Sequence, residues 1–287
     1  MATKKAASTK KSTVKKPAAK ITTKSASART STASARTSDV RKRLVSNNYT
    51  GLAASSLAEL VGTFILAAIV LSQNGQPVPV MFGIIAAVLA VGALSGGYLN
   101  PALAVGAWAT KRLSGVRTLA YIVAQMLGGM LALVVVDNFI RSSAPKITEQ
   151  MAQFGQTAPE VFRAASVPDD KVWLVLFAEL IGTAIFALVV ASAVSEKRNS
   201  LTTAISLGTG LFAGLLVAGS ATASLAAQGT GLTFLNPAVA VAAQVFSNDV
   251  LSWWSFSIFM VVPLIGGALG FGLYELFKYG QRTSTAK

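Results

Sequence analysis

Leu99-Asn100-Pro101-Ala102, continued by Leu103-Ala104-Val105-Gly106-Ala107, returns as Leu235-Asn236-Pro237-Ala238, continued by Val239-Ala240-Val241-Ala242-Ala243. Seven of these nine paired positions are identical. Each copy reads as a helix start: Asn is a good N-cap, and Pro at the first helical position sacrifices no useful N–H. About ten mainly apolar residues follow each copy, half of the ~20 that a bilayer crossing needs. A short helix that begins abruptly inside a membranous chain is a pointer to a binding or conduction site.

Two further phrases repeat in the same order. Ala58-Glu59-Leu60-Val61-Gly62-Thr63 returns as Ala178-Glu179-Leu180-Ile181-Gly182-Thr183, and Gln125-Met126-Leu127-Gly128-Gly129 returns more weakly as Pro263-Leu264-Ile265-Gly266-Gly267. The offsets are 120, 136 and 138. Three ordered matches at similar offsets argue for a duplicated chain, with one repeat over about 51–137 and the other over about 172–278.

At these residues, and at Tyr121, Ala124, Gln125, Gly128 and Gly129 of the third phrase, the chain resembles the aquaporin (major intrinsic protein) family over 51–278. The resemblance implies an all-α membrane protein with six transmembrane helices and two re-entrant half-helices in an inverted repeat. It further implies a passive channel for water or small neutral solutes such as glycerol, urea or ammonia, a homotetramer, no cofactor and no enzymatic step.

Composition sets the same bounds. Of 287 residues, 53% are hydrophobic and 13% charged, well below the quarter usual in soluble domains. Without Cys or His, disulfides, thiol chemistry, histidine bases and Cys/His metal sites are excluded. The net charge of +14 belongs to a tail: residues 1–43 hold 13 Lys/Arg against one acid, Asp39. That stretch has almost nothing to bury and reads as disordered, ahead of a channel domain over 44–287. It has no apolar core of a signal peptide. A solvated tail, or one lying on anionic lipid head groups, suits it better than a nucleic-acid arm or a transit peptide.

Six apolar runs fit the crossing length, at about 52–71, 78–94, 119–136, 172–194, 201–225 and 251–276, with half-helices at about 101–110 and 237–246. In that arrangement Lys111, Arg112, Arg117, Lys197, Arg198, Lys278, Arg282 and Lys287 share the side of the basic tail. The opposite side has the uncharged turn 72–77, the mixed-charge connector 139–171 and Asp249. The positive-inside rule then puts both termini in the cytoplasm, most simply of a plasma-membrane protein. Trp253 and Trp254 read as an interfacial anchor.

Three spans per repeat is an odd number, so the repeats insert with opposite topology and the half-helices meet N-terminus to N-terminus. Each end carries roughly +0.5 of an elementary charge, a barrier to cations but not to a neutral molecule with a lone pair. Asn100 and Asn236 are expected to cap their helices by side-chain oxygen and to turn their NH₂ groups into the lumen. Pro101 and Pro237 set the entry geometry, and Ala102 and Ala238 leave room. Glu59 and Glu179 lie inside apolar spans, and the resemblance implies that they accept N–H bonds from the irregular backbone that leads into each half-helix. The alternative is a proton-coupled inverted-repeat transporter using those carboxylates as carriers.

The chain departs from the family after its second Asn-Pro-Ala, where Val239 stands in place of the usual Arg, and at Tyr98, where His is frequent. The resemblance implies an outer selectivity ring, which counting from the motifs puts at Val80, Ser224, Thr233 and Val239, with Ala223 in place of Ser224 if the segment before Asn236, which looks one residue longer than usual, shifts the count. The expectation is a ring without a fixed cation, broader than that of a strict water channel.

Overall fold

The computed structural model describes residues 51–145, 147–155, 159–195, 199–227, 229–247 and 250–285. The basic tail over 1–43 lies outside the described residues, as do Lys197, Arg198, Asp249 and Lys287. Within them, apolar side chains run around every side of the long helices, which is how a helix solvated by lipid reads. Those helices are α1 (Gly51–Ser72), α2 (Pro77–Ser95), α4 (Gly115–Ser143), α6 (Val172–Ser195) and α7 (Ser200–Thr222). A sixth is built of α9 (Trp253–Phe256), a π-helical turn (Ser257–Val261) and α10 (Val262–Thr285). All six are long and apolar enough to cross a membrane, with mean hydropathy of 1.8 to 2.5 over their central windows. The short helices α3 (Pro101–Ala109) and α8 (Pro237–Ala242) are the two half-helices, and α5 (Glu149–Gln153) lies in the connector.

The half-helices are exchanged between repeats: α3 packs along α10, and α8 along α4. Paired glycines make this possible. Gly129 of α4 leaves no room for a Cβ against the Ala238 carbonyl, and Gly267 of α10 none against the Ala102 carbonyl. Their neighbours Gly128 and Gly266 do the same against Leu60 of α1 and Leu180 of α6. One glycine of each pair therefore admits the spanning helix of its own repeat, and the other admits the half-helix of the opposite one.

Two local features depart from the expected pattern. The second half-helix ends at Ala242 rather than near 246, because Gln244 turns left-handed (φ 64°) and the Val245 N–H closes back on the Ala240 carbonyl at 3.3 Å. In the sixth span, Pro263 supplies no N–H and its ring crowds the carbonyl four residues earlier. The π turn at 257–261 opens the ladder just before it, which accommodates the proline inside a continuing helix.

The long connector packs across one end of the bundle. Its strand β1 (Arg163–Ala164) pairs in parallel with β2 (Thr230–Gly231), in the loop that leads to α8. The Ala164 N–H also reaches the Ala243 carbonyl at 2.7 Å, and the ring of Phe162 covers Gly75 and Gly231. At the same end Trp173 lies against Trp254, with Trp173 largely exposed and Trp254 partly so. At the opposite end Arg112, just past α3, pairs with Glu275 of α10 at 2.5 Å and donates to the Ala191 carbonyl of α6 at 2.8 Å. Its guanidinium lies over the rings of Phe271 and Tyr274, 5.1 and 5.4 Å from their centroids. These contacts fasten the far end of α3 to two spanning helices.

The exchange predicts a sharp contrast along one helix. Gly267→Ala should destabilise the protein by about 1–3 kcal/mol, because its methyl meets fixed backbone. Gly272→Ala, with open space around it, should be neutral or slightly stabilising. Thermal unfolding in detergent separates the two.

Candidate functional site

The site lies where the two half-helices begin. Asn100 and Asn236 take extended backbone (φ −157° and −154°) and cap their helices. Asn100 Oδ1 accepts from the Ala102 N–H at 2.8 Å, and Asn236 Oδ1 from the Ala238 N–H at 3.0 Å. With the oxygens so placed, the NH₂ groups point across the pseudo-twofold. Asn100 Nδ2 donates to the Leu235 carbonyl at 2.8 Å, and Asn236 Nδ2 to the Leu99 carbonyl at 2.9 Å. This alters the sequence expectation of two amides turned wholly into a lumen. One N–H of each is used by the other repeat, which leaves one N–H per amide for a passing molecule.

The carboxylates hold the other end of the same two leucine residues. Glu59 of α1 accepts from the N–H groups of Tyr98 at 3.0 Å and Leu99 at 2.6 Å. Glu179 of α6 accepts from the N–H groups of Phe234 and Leu235, the latter at 3.0 Å. Both are fully buried. Gln125 of α4, noted in the sequence only for its phrase, donates to Glu59 at 2.7 Å. The residue paired with it in the second repeat is Pro263, which has no donor to offer.

Val80, Thr233 and Val239 line one small cavity with Asn236, together with Leu66, Val70, Leu211, Leu215 and Phe234. Ser224 is not among them. It is exposed on the turn Ala223–Leu225 that ends α7, and Leu211 and Leu215 close that side instead. The count failed because the stretch between α7 and the second Asn is longer than assumed: Leu215 precedes Asn236 by 21 residues, against 12 for Ser224. The cavity measures about 20 Å³. Leu211 and Leu215, or Leu66 and Val70, could not be singled out in advance. They recur at helical spacing on spans that are apolar all round, so nothing in the pattern separates a lumen face from a lipid face.

Above this collar opens a vestibule of about 590 Å³ that shares Gly75, Leu215 and Thr233 with it. Its wall carries the amides of Asn74 and Gln76 and the hydroxyls of Ser220, Thr222 and Thr230, and no charged side chain among the described residues. At the other end, a cleft of about 230 Å³ lies between α2, α6 and α7, lined by Val88, Gly92, Gly96, Ser200 and Thr203 among others. Tyr98 is buried beside Gly96, its ring 6.2 Å from that of Tyr121. The described residues hold no cluster of acidic side chains fit for a metal ion.

The Major intrinsic protein family model matches residues 77–274. The chain is 29% identical over 240 residues to Aquaporin Z of Photorhabdus laumondii subsp. laumondii, covering 76% of this chain and 95% of that one. It is 33% identical over 194 residues to Aquaporin PIP2-5 of Zea mays, covering 68% and 62%. Among solved structures, the aquaglyceroporin from Plasmodium falciparum is similar with a TM-score of 0.55 at 19% identity, covering 79% of this chain and 95% of that chain. At that identity the likeness speaks for the fold.

The crossed amides make Asn100→Asp informative. A carboxylate still caps α3 but cannot donate to Leu235, and it sets a negative charge against that carbonyl. A loss of at least about 2 kcal/mol in stability is expected, read by thermal unfolding in detergent, although Asn and Asp are equivalent N-caps elsewhere.

Proposed function

This chain belongs to the major intrinsic protein family and is a passive membrane channel rather than an enzyme, and on that premise we propose where and how it conducts. The path runs from the vestibule through the collar of Val80, Leu215, Thr233 and Val239, past Asn236 and Asn100, to the cleft at Gly92 and Gly96. Water and small uncharged solutes move along it down their own gradients.

One observation carries this reading: two half-helix N-termini are bound to each other through crossed asparagine amides. Each terminus contributes roughly half a positive charge, and both converge on one point in a low-dielectric surround. A cation entering there meets repulsion with no compensating carboxylate, because Glu59 and Glu179 are turned to backbone N–H groups and buried. A neutral molecule with a lone pair meets only hydrogen-bond donors. The same burial disfavours the transporter alternative, which needs a carboxylate that exchanges protons with a lumen.

The charge distribution supports cytoplasmic termini in a plasma membrane, since Lys111, Arg112, Arg117 and Lys278 share one end of the bundle. The basic stretch 1–43 then faces the anionic inner leaflet, its proposed lipid partner. Exposed apolar side chains on α1 and α4, such as Leu57, Leu119 and Val123, suit the lipid and neighbour contacts of a homotetramer.

Purified protein in proteoliposomes should speed the downhill entry of at least one small neutral solute. That flux should be insensitive to a protonophore and come without measurable Na⁺ or K⁺ current. Accumulation against a gradient, driven by an imposed pH difference, would reverse the choice in favour of a transporter.

A further inference from the structure

The end of the bundle that Arg112 fastens carries a second cleft, of about 430 Å³, between α6, α7 and α10. Its lining shares no residue with the vestibule, the collar or the cleft at Gly92 and Gly96. Its polarity is graded along the helices. Arg112 marks one level, because it reaches the Ala191 carbonyl of α6 and Glu275 of α10 together. On the deeper side of that level, Leu188 and Val189 line the cleft within one turn. On the outer side, Lys278 and Gln281 line it about one and two turns further along α10. Ser192, Ser206 and Tyr274 add hydroxyl groups to the wall. Phe277, in the same wall, is exposed, so the cleft opens on the apolar outer surface.

Lys278 supplies the charge. It is half-buried, with its ammonium 5.9 Å from the centroid of the Tyr274 ring. Among the described residues no carboxylate stands within ion-pair distance of it, and Glu275, one turn earlier, is engaged by Arg112. A lysine at the edge of the hydrocarbon lays its stem along apolar surface and sends its ammonium to the headgroups, where phosphates attract it. The duplication shows that the packing of this stretch does not require the charge. At the offset of 138 that relates Gly129 to Gly267, the residues Tyr274, Phe277, Lys278 and Gln281 correspond to Val136, Phe139, Ile140 and Ser143 of α4. An isoleucine takes the place of the lysine in the first repeat.

We propose that this cleft binds one anionic phospholipid, with the phosphodiester on Lys278 and an acyl chain laid over Leu188 and Val189. Hydrocarbon deep in the bundle and a cation at its end follow the order of such a lipid from chain to headgroup. A zwitterionic lipid brings its own cation close to Lys278 and loses part of the attraction. Free phosphate gains nothing from the aliphatic floor. The site belongs to the folded bundle, is distinct from the basic stretch 1–43, and uses no part of the pore.

The test photolabels full-length protein in detergent micelles with a phosphatidylglycerol that carries a diazirine in its acyl chain, and maps the labelled peptides. Label should fall on α6 and α10 around Val189 and Phe277, whatever falls on 1–43. Unlabelled phosphatidylglycerol should displace the cleft label at about one-fifth of the concentration that phosphatidylcholine needs, the factor for the ~1 kcal/mol that one basic residue contributes beside anionic headgroups. Lys278→Gln should abolish that preference and Lys278→Arg should keep it. Arg117→Gln, at the same end but outside the cleft, should leave it unchanged.

No label in the cleft, or equal displacement by the two lipids, overturns the site from wild-type protein alone, whether or not a variant folds. A preference that survives Lys278→Gln, or that falls as far in Arg117→Gln, overturns it by showing only diffuse surface charge. Inorganic phosphate that displaces the label as well as phosphatidylglycerol does overturns the lipid assignment. None of these results touches the channel reading.

Discussion

Leu99 and Leu235 each hold a left-handed backbone, φ 52° at both, which costs a residue with a Cβ about 1–2 kcal/mol. Each is held there from both ends of the residue. The N–H goes to the buried carboxylate of its own repeat and the C=O to the asparagine amide of the other. A charge-assisted bond in a buried site contributes about 1.5–3 kcal/mol, enough to offset the strain. The clasp also explains why two carboxylates sit deep in apolar helices: they satisfy N–H groups that lipid could not. The Leu99 and Leu235 side chains then need space in the adjoining helices. A Cβ at Gly62 would collide with Leu99, and Cβ atoms at Gly182 and Gly214 with Leu235.

The repeats share this core and diverge around it. The first adds Gln125 to its carboxylate and Arg112 to the end of a nine-residue half-helix. The second has a six-residue half-helix, a proline in place of the glutamine and a π turn beside it. That turn carries Phe259, which meets Phe234 edge-on at 5.3 Å, and Phe234 lines the collar. The long loop of the second repeat and the connector strand close over the same end. The asymmetry is therefore concentrated on the collar and vestibule, while the meeting point of the half-helices stays nearly twofold.

This arrangement sets two features in two places. The two half-helix N-termini converge at the asparagine pair, on backbone geometry that the collar side chains do not build. The collar, where Val239 supplies no cation and Leu215 is aliphatic, lies beside it. The two regions touch at Asn236, which caps α8, clasps Leu99 and borders the collar.

By itself the sequence determined the duplication, the six spans, the two helix starts and the residues of the clasp. Each depends on local chemistry: run length against bilayer thickness, Asn-Pro as a cap and first turn, a carboxylate stranded among apolar residues. Glu59 and Glu179 accept N–H bonds from the backbone that leads into each half-helix. Only the tertiary structure decided the crossed direction of the amides, the early end of α8 and the composition of the collar. The amides depend on a carbonyl more than 130 residues away, and the collar on a loop whose extra length displaced the count from Leu215 to Ser224. On helices apolar on every side, which leucine faces the lumen is settled by packing against other helices, and a single chain's periodicity carries no record of it.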